Sequence, residues 1–122
     1  MAEPLTVLFV EDESDLRALV MGMLLAKGFR VFAAADGIDA LHILHRHHVD
    51  LLFTDIVMPG INGVLLAKHA REVQPGLKLL FTTGYVQRAI ERDAVRYGPV
   101  LFKPLRHTEI IQEVEALLGS GR

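Results

Sequence analysis

Apolar runs and amphipathic stretches alternate five times along the chain. The first run, Leu5-Thr6-Val7-Leu8-Phe9-Val10, is continuous rather than alternating, the pattern of a strand covered on both faces. Leu16, Leu19, Val20, Met23 and Leu24 then fall on one helical face, and Gly28 ends that helix. The second run, Arg30 to Ala34, leads through Asp36-Gly37 into a helix carrying Leu41 and Leu44. The third is Leu51-Leu52-Phe53-Thr54, and its helix begins after Asn62-Gly63. Gln74-Pro75-Gly76 breaks the chain before the fourth run, Lys78 to Thr82. Val86, Ile90 and Ala94 follow at helical spacing, and Tyr97-Gly98-Pro99 breaks again. Val100-Leu101-Phe102 is the last strand, and Thr108 is expected to cap a final helix with Ile111, Val114 and Leu118 inward.

Five such units in 122 residues predict an α/β fold, a doubly wound five-stranded parallel sheet with five helices on its two faces. The flavodoxin-like strand order 2-1-3-4-5 is expected, although periodicity does not fix the order. Sheets of this kind bind ligands outside the carboxyl ends of their strands, near the switch in strand order. The residues expected there are Glu11, Asp12 and Glu13 after the first strand and Asp55 after the third. Thr82 and Thr83 follow the fourth, and Lys103-Pro104 the fifth. Of the two threonines one should pack into the sheet and one face the cleft, and Thr83, beside Gly84, is the choice for the cleft.

If these positions converge, electrostatics dictates what joins them. Two carboxylates ~4 Å apart repel by roughly 4 kcal/mol at an effective dielectric of about 20. A hard cation such as Mg²⁺ relieves the strain, since it takes one or two carboxylates with water and phosphate ligands. With Mg²⁺ and the Lys103 ammonium, the charges of Glu11, Asp12 and Asp55 are balanced. Such a site can admit a phosphoryl group, whose transfer needs chiefly positioning and charge neutralisation. An ionised Asp is a competent nucleophile for it.

Charge and composition narrow the classes further. The formal net charge is -2 with signs mixed along the chain, and no basic run points to nucleic acid. Cysteine is absent, which removes disulfide and thiol chemistry. The Met1-Ala2-Glu3-Pro4 start has no signal-peptide pattern, and no apolar stretch reaches the ~20 residues of a membrane span. A cytoplasmic protein with one domain over residues 1–122 and no membrane partner is expected.

Four segments resemble a known family, the response-regulator receiver domains of the CheY-like superfamily. Val10-Glu11-Asp12 is similar to the family's acidic pair. The stretch from Thr54-Asp55 through Met58-Pro59 to Gly63 matches its D-x-x-M-P-x-x-x-G acceptor motif. Thr83-Gly84 and Lys103-Pro104 match its Thr-small and Lys-Pro pairs, in the family's order. The resemblance covers essentially the whole chain. It implies a two-component signalling switch rather than a turnover enzyme, one that assists its own phosphorylation and dephosphorylation. Asp55 would accept a phosphoryl group from a histidine kinase or histidine phosphotransfer protein. Asp12, Asp55 and the Val57 backbone carbonyl would hold Mg²⁺, with Glu11 acting mainly through water. Lys103 would pair with the phosphoryl oxygens and Thr83 would swing toward them. The Lys103-Pro104 bond is often cis in the family. The face of the fourth helix, fifth strand and fifth helix would then change for a downstream protein partner not identified by the sequence. A phosphorylation-dependent homodimer is left open.

One position departs from the family pattern, and two more bear on the lifetime of the acyl phosphate. Val100 stands where many receivers carry Tyr or Phe, so a ring-flip relay is not expected and the fourth helix would move instead. Tyr85 and Val57, two residues after Thr83 and Asp55, point to slowed hydrolysis of the acyl phosphate.

Other readings use the same residues less well. An Asp-nucleophile phosphohydrolase would carry a second acid where Val57 stands. A flavodoxin-like carrier needs a Gly/Ser/Thr phosphate loop where Glu11-Asp12-Glu13 would repel phosphate. The crowd of His42, His45, His47 and His48 suggests a metal site or a phosphocarrier, but a solvated helix end suits it better. His69 and His107 are expected at the surface, and Met21, Met23 and Met58 in packing. The receiver of a larger hybrid kinase remains an alternative to a single-domain regulator.

Overall fold

The computed structural model describes residues 3–84 and 92–119. Its strands are β1 (Thr6–Val10), β2 (Arg30–Ala34), β3 (Leu51–Asp55), β4 (Lys78–Thr83) and β5 (Val100–Phe102). Its complete helices are α1 (Ser14–Ala26), α2 (Gly37–Arg46), α3 (Gly63–Val73) and α4 (His107–Leu118). All neighbouring strands pair in parallel in the predicted order β2-β1-β3-β4-β5. Of the helix expected between β4 and β5, Val86 and Ile90 lie outside the described residues. Residues 92–94 are helical there, and Ala94 is buried.

The sheet separates two cores, which explains why its central strands read as unbroken apolar runs. Leu8, Val10, Leu52, Leu79 and Phe81 face α2 and α3, against Ala40, Leu44, Leu66 and Ala67. The alternate residues Val7, Phe9, Leu51, Phe53 and Leu80 face α1 and α4, against Val20, Leu24, Ile110 and Val114. Phe9 and Phe53 meet across β1 and β3 with ring centroids 4.7 Å apart. Burying residues alternately on both sides fixes the register, since a one-residue slip would exchange the two cores.

Helix starts follow side-chain chemistry in three of the four cases. Glu13, Asp36 and Asn62 each accept from backbone N–H groups of the first turn of α1, α2 and α3. The fourth corrects the expectation for Thr108. Ile110 N–H bonds the Arg106 carbonyl, so α4 begins at His107 and Thr108 already lies inside its first turn. A hydroxyl there is past the capping position, and Arg106 makes no side-chain cap bond. Leu19 is also not in the core, being 59% exposed. The inward face of α1 is centred on Val20 and Leu24, and one residue turns a helix by about 100°.

Two breakers have structural grounds. Gly28 adopts φ +91°, the left-handed turn that closes α1. At Gly98 a Cβ would sit 2.0 Å from the Leu79 carbonyl oxygen, so no side chain fits against β4. Among the described residues no helix is long and apolar enough to cross a membrane.

Candidate functional site

β1, β3 and β5 deliver three of the predicted site residues to one point at the carboxyl edge of the sheet. The Lys103 Nζ donates to Glu11 Oε1 at 2.8 Å and to Asp55 Oδ2 at 2.9 Å. Asp12 completes the group, with one carboxylate oxygen each from Glu11, Asp12 and Asp55 within 4.8 Å of one another. Glu11 is 1% and Asp55 5% exposed, while Asp12 opens to solvent. This is the grouping of metal-compatible side chains among the described residues. Its donors are all hard carboxylate oxygens, and Asp55 Oδ1 is buried without a hydrogen-bond partner. Such a set suits a small divalent cation that keeps some of its water.

Local structure holds the acids in place. The Glu11 N–H bonds Ala34 O at 3.1 Å, extending the β1–β2 ladder one residue past the strand. Its second carboxylate oxygen accepts from the Glu13 N–H at 3.1 Å. Arg17, one turn into α1, donates to the Glu11 carbonyl at 2.7 Å and to the Asp12 carbonyl at 3.5 Å. Sequence reasoning passed over Arg17, although a cation just inside the helix that follows an acidic loop is a usable signal.

The segment after Asp55 is shaped by contact as well. A Cβ on Gly63 would lie 2.3 Å from the Asp55 carbonyl oxygen, so the start of α3 packs directly on the backbone of the acceptor candidate. The Gly63 N–H bonds Ile56 O at 2.8 Å across that approach. Met58 is buried, with its sulfur 3.9 Å from the Thr54 hydroxyl, and Gly60 turns with φ +80°. Val57 is 41% exposed, beside the cleft, and its backbone favours the charged form of Asp55.

Burial shifts the acids upward. Desolvation raises the Asp55 and Glu11 carboxyls above their ordinary range, although the bond and charge of Lys103 pull both back. Burial works to lower Lys103, but its bonds to Glu11 and Asp55 and their two charges outweigh it, so its ammonium is raised. Three carboxylates thus share one ammonium, and the site is short of positive charge. Lys103 is held charged and the carboxylates are not fully at ease.

The two threonines separate by strand alternation. Asp55 lies two residues after Phe53, and Thr82 two after Leu80, so both share the α1–α4 side of the sheet. Thr83 falls on the other side, next to Phe102, and its carbonyl accepts from the Lys103 N–H at 2.9 Å. Both threonines are buried, at 0% and 2% exposure. Val100 and Tyr97 both pack against the α2–α3 core. Tyr85 lies outside the described residues. The Lys103-Pro104 peptide is cis.

The histidines stay apart from this cluster. His47 stacks on Phe32 with centroids 4.6 Å apart, and His48 bonds Asp50 Oδ1 at 2.9 Å. His42, His45, His69 and His107 are exposed.

A family model for the response regulator receiver domain matches residues 7–115. The chain belongs to that family. The receiver protein CpdR of Brucella abortus is 36% identical over 114 residues, 92% of this chain and 95% of CpdR. The receiver domain of the hybrid histidine kinase CckA shares 34% identity and a TM-score of 0.80, over 93% of this chain and 98% of that one. TrrA of Thermotoga maritima, solved in complex with Mg²⁺ and BeF, shares 27% identity and a TM-score of 0.84 over 93% and 99%. This receiver domain is thus a signalling module of two-component systems rather than a typical enzyme.

Proposed function

We propose that residues 1–122 act as one cytoplasmic receiver unit, phosphorylated on Asp55 by a histidine kinase or histidine phosphotransfer protein. The observation that carries this reading is the Lys103 ammonium, 2.8 Å from Glu11 and 2.9 Å from Asp55, beside a third carboxylate on Asp12. An Asp55 oxygen attacks phosphorus, the bond from phosphorus to the donor's imidazole nitrogen breaks, and the electron pair leaves with that imidazole. The product is an acyl phosphate. Asp12, Asp55 and the Val57 carbonyl would hold Mg²⁺, with Glu11 acting through water, and the ion would neutralise charge on the entering group. Lys103 exchanges its bond to Asp55 for one to a phosphoryl oxygen, and Thr83 turns toward another.

The added charge, about -1.5 to -2 in place of -1, draws in the loops after β4 and β5. Since Lys103 N–H is bonded to Thr83 O, the two loops move together. The surface of β5, α4 and the segment between β4 and β5 then changes for a downstream protein. Half-exposed Phe102 on that surface supports a protein partner there. A phosphorylation-dependent homodimer over the same face is a second form of this output.

The test treats wild type and Asp55→Asn with Mg²⁺ and a small phosphodonor. Wild type takes up acid-labile phosphate and the variant does not; equal uptake would overturn the assignment. Capture of a protein partner with and without beryllofluoride, an acyl-phosphate mimic, then tests the output face.

A further inference from the structure

Thr82 carries a polar group that the fold does not use. It is 0% exposed, and its hydroxyl has no hydrogen-bond partner. An unpaired buried hydroxyl destabilises a fold, and Val would fill the same space without that penalty. Its direct register partner across β3 and β4 is Asp55, on the same side of the sheet. Neighbouring strands lie about 4.8 Å apart, so same-face side chains in register are neighbours. Asp55 Oδ1 is also buried and unpartnered, since Lys103 holds Oδ2. The two orphaned atoms of the described residues thus belong to adjacent side chains.

We propose that Thr82 is a positioning residue for dephosphorylation, its hydroxyl donating to the Asp55 carboxyl oxygen that Lys103 does not hold. This rests on Asp55 being the phosphoryl acceptor. A turn about the Thr82 Cα–Cβ bond would carry the hydroxyl toward that oxygen, whose two lone pairs can serve a cation and a hydroxyl together. In the acyl phosphate the oxygen is a neutral carbonyl and the bond is weak. On hydrolysis a water oxygen attacks phosphorus and the bond from phosphorus to the Asp55 oxygen breaks. Its electron pair returns to the carboxyl group, the water proton passes to solvent and inorganic phosphate leaves. Negative charge therefore builds on the Asp55 carboxyl in the transition state, where a hydrogen bond strengthens. The hydroxyl shortens the life of the phosphorylated state. Thr83, on the opposite side of the sheet, does not share this part.

The experiment phosphorylates wild type, Thr82→Val, Thr82→Ser and Asp55→Asn with a small phosphodonor and Mg²⁺, removes the donor, and follows loss of label. Thr82→Val is expected to decay about tenfold more slowly, the loss of one charge-assisted hydrogen bond. Its thermal midpoint stays equal to or above that of wild type, and Thr82→Ser decays within about twofold of wild type. Decay of Thr82→Val at the wild-type rate overturns the proposal, as does Thr82→Ser as slow as Thr82→Val, which would make shape the cause. If wild type takes up no label that Asp55→Asn loses, the acceptor assignment itself fails and this inference falls with it. The two failures are distinct, because the first leaves Asp55 labelled.

Discussion

The residue that decides the site is Lys103, because two buried carboxylates share its one ammonium. Removing one partner of a buried ionic group costs far more than the group contributes net, since the remaining charges are left uncompensated. Lys103→Met is expected to lower stability at pH 7 by about 3 kcal/mol in urea unfolding. The pH dependence has a defined sign. Desolvation raises Asp55 and Glu11 in the folded state, so the folded protein binds more protons than the unfolded chain just above the usual carboxylate range. Stability falls as pH rises through that window, and it is recovered on acidification. The Lys103→Met penalty should therefore shrink as pH falls from 7 toward 4, because the orphaned acids take up protons. A penalty that grows on acidification would show that the carboxylates are not what Lys103 compensates. The same protons compete with a cation, so the apparent Mg²⁺ affinity should weaken over the same descent. Titration at two pH values checks it.

At the scale of elements, the start of α3 is where folding and chemistry meet. Gly63 is forced by the 2.3 Å approach of a would-be Cβ to the Asp55 carbonyl oxygen. Gly63→Ala must push α3 from β3 or shift β3 itself, and either displaces Asp55. The expected cost is about 3 kcal/mol of stability, with phosphate uptake lost even in the fraction that stays folded. The neighbouring cap separates the two effects. Asn62 accepts from the Leu65 N–H at 2.9 Å and is exposed, so Asn62→Ala should cost about 1 kcal/mol with uptake unchanged. If both variants lose uptake alike, the helix start matters only through stability. Comparing uptake per folded molecule distinguishes them.

For the whole molecule, the sheet's covering explains what the sequence could tell. Strands buried on both faces must be apolar throughout, so β1 and β3 were legible as unbroken apolar runs, and the order 2-1-3-4-5 was expected from the flavodoxin-like pattern of five βα units rather than from periodicity. Glu11 and Lys103 are 92 residues apart, and their pairing was legible only because both end strands of a known order. Details set by phase were not. Thr108 looks like a cap, yet the burial of Ile110 and Ile111 starts α4 earlier. Thr82 looks like packing, and only the β3–β4 register places it beside Asp55. The same convergence makes the site a net burden on the bare fold. Three carboxylates face one ammonium, and a cation that binds only the folded state stabilises it by mass action. Saturating Mg²⁺ at 100 times its dissociation constant should stabilise wild type by about 2.7 kcal/mol. Asp12→Ala removes the solvent-facing carboxylate without touching the bonds of Lys103 to Glu11 and Asp55. Its metal-free thermal midpoint should therefore equal or exceed that of wild type, while the Mg²⁺-induced rise disappears. A variant that still gains the full rise would place the cation elsewhere than on Glu11, Asp12 and Asp55.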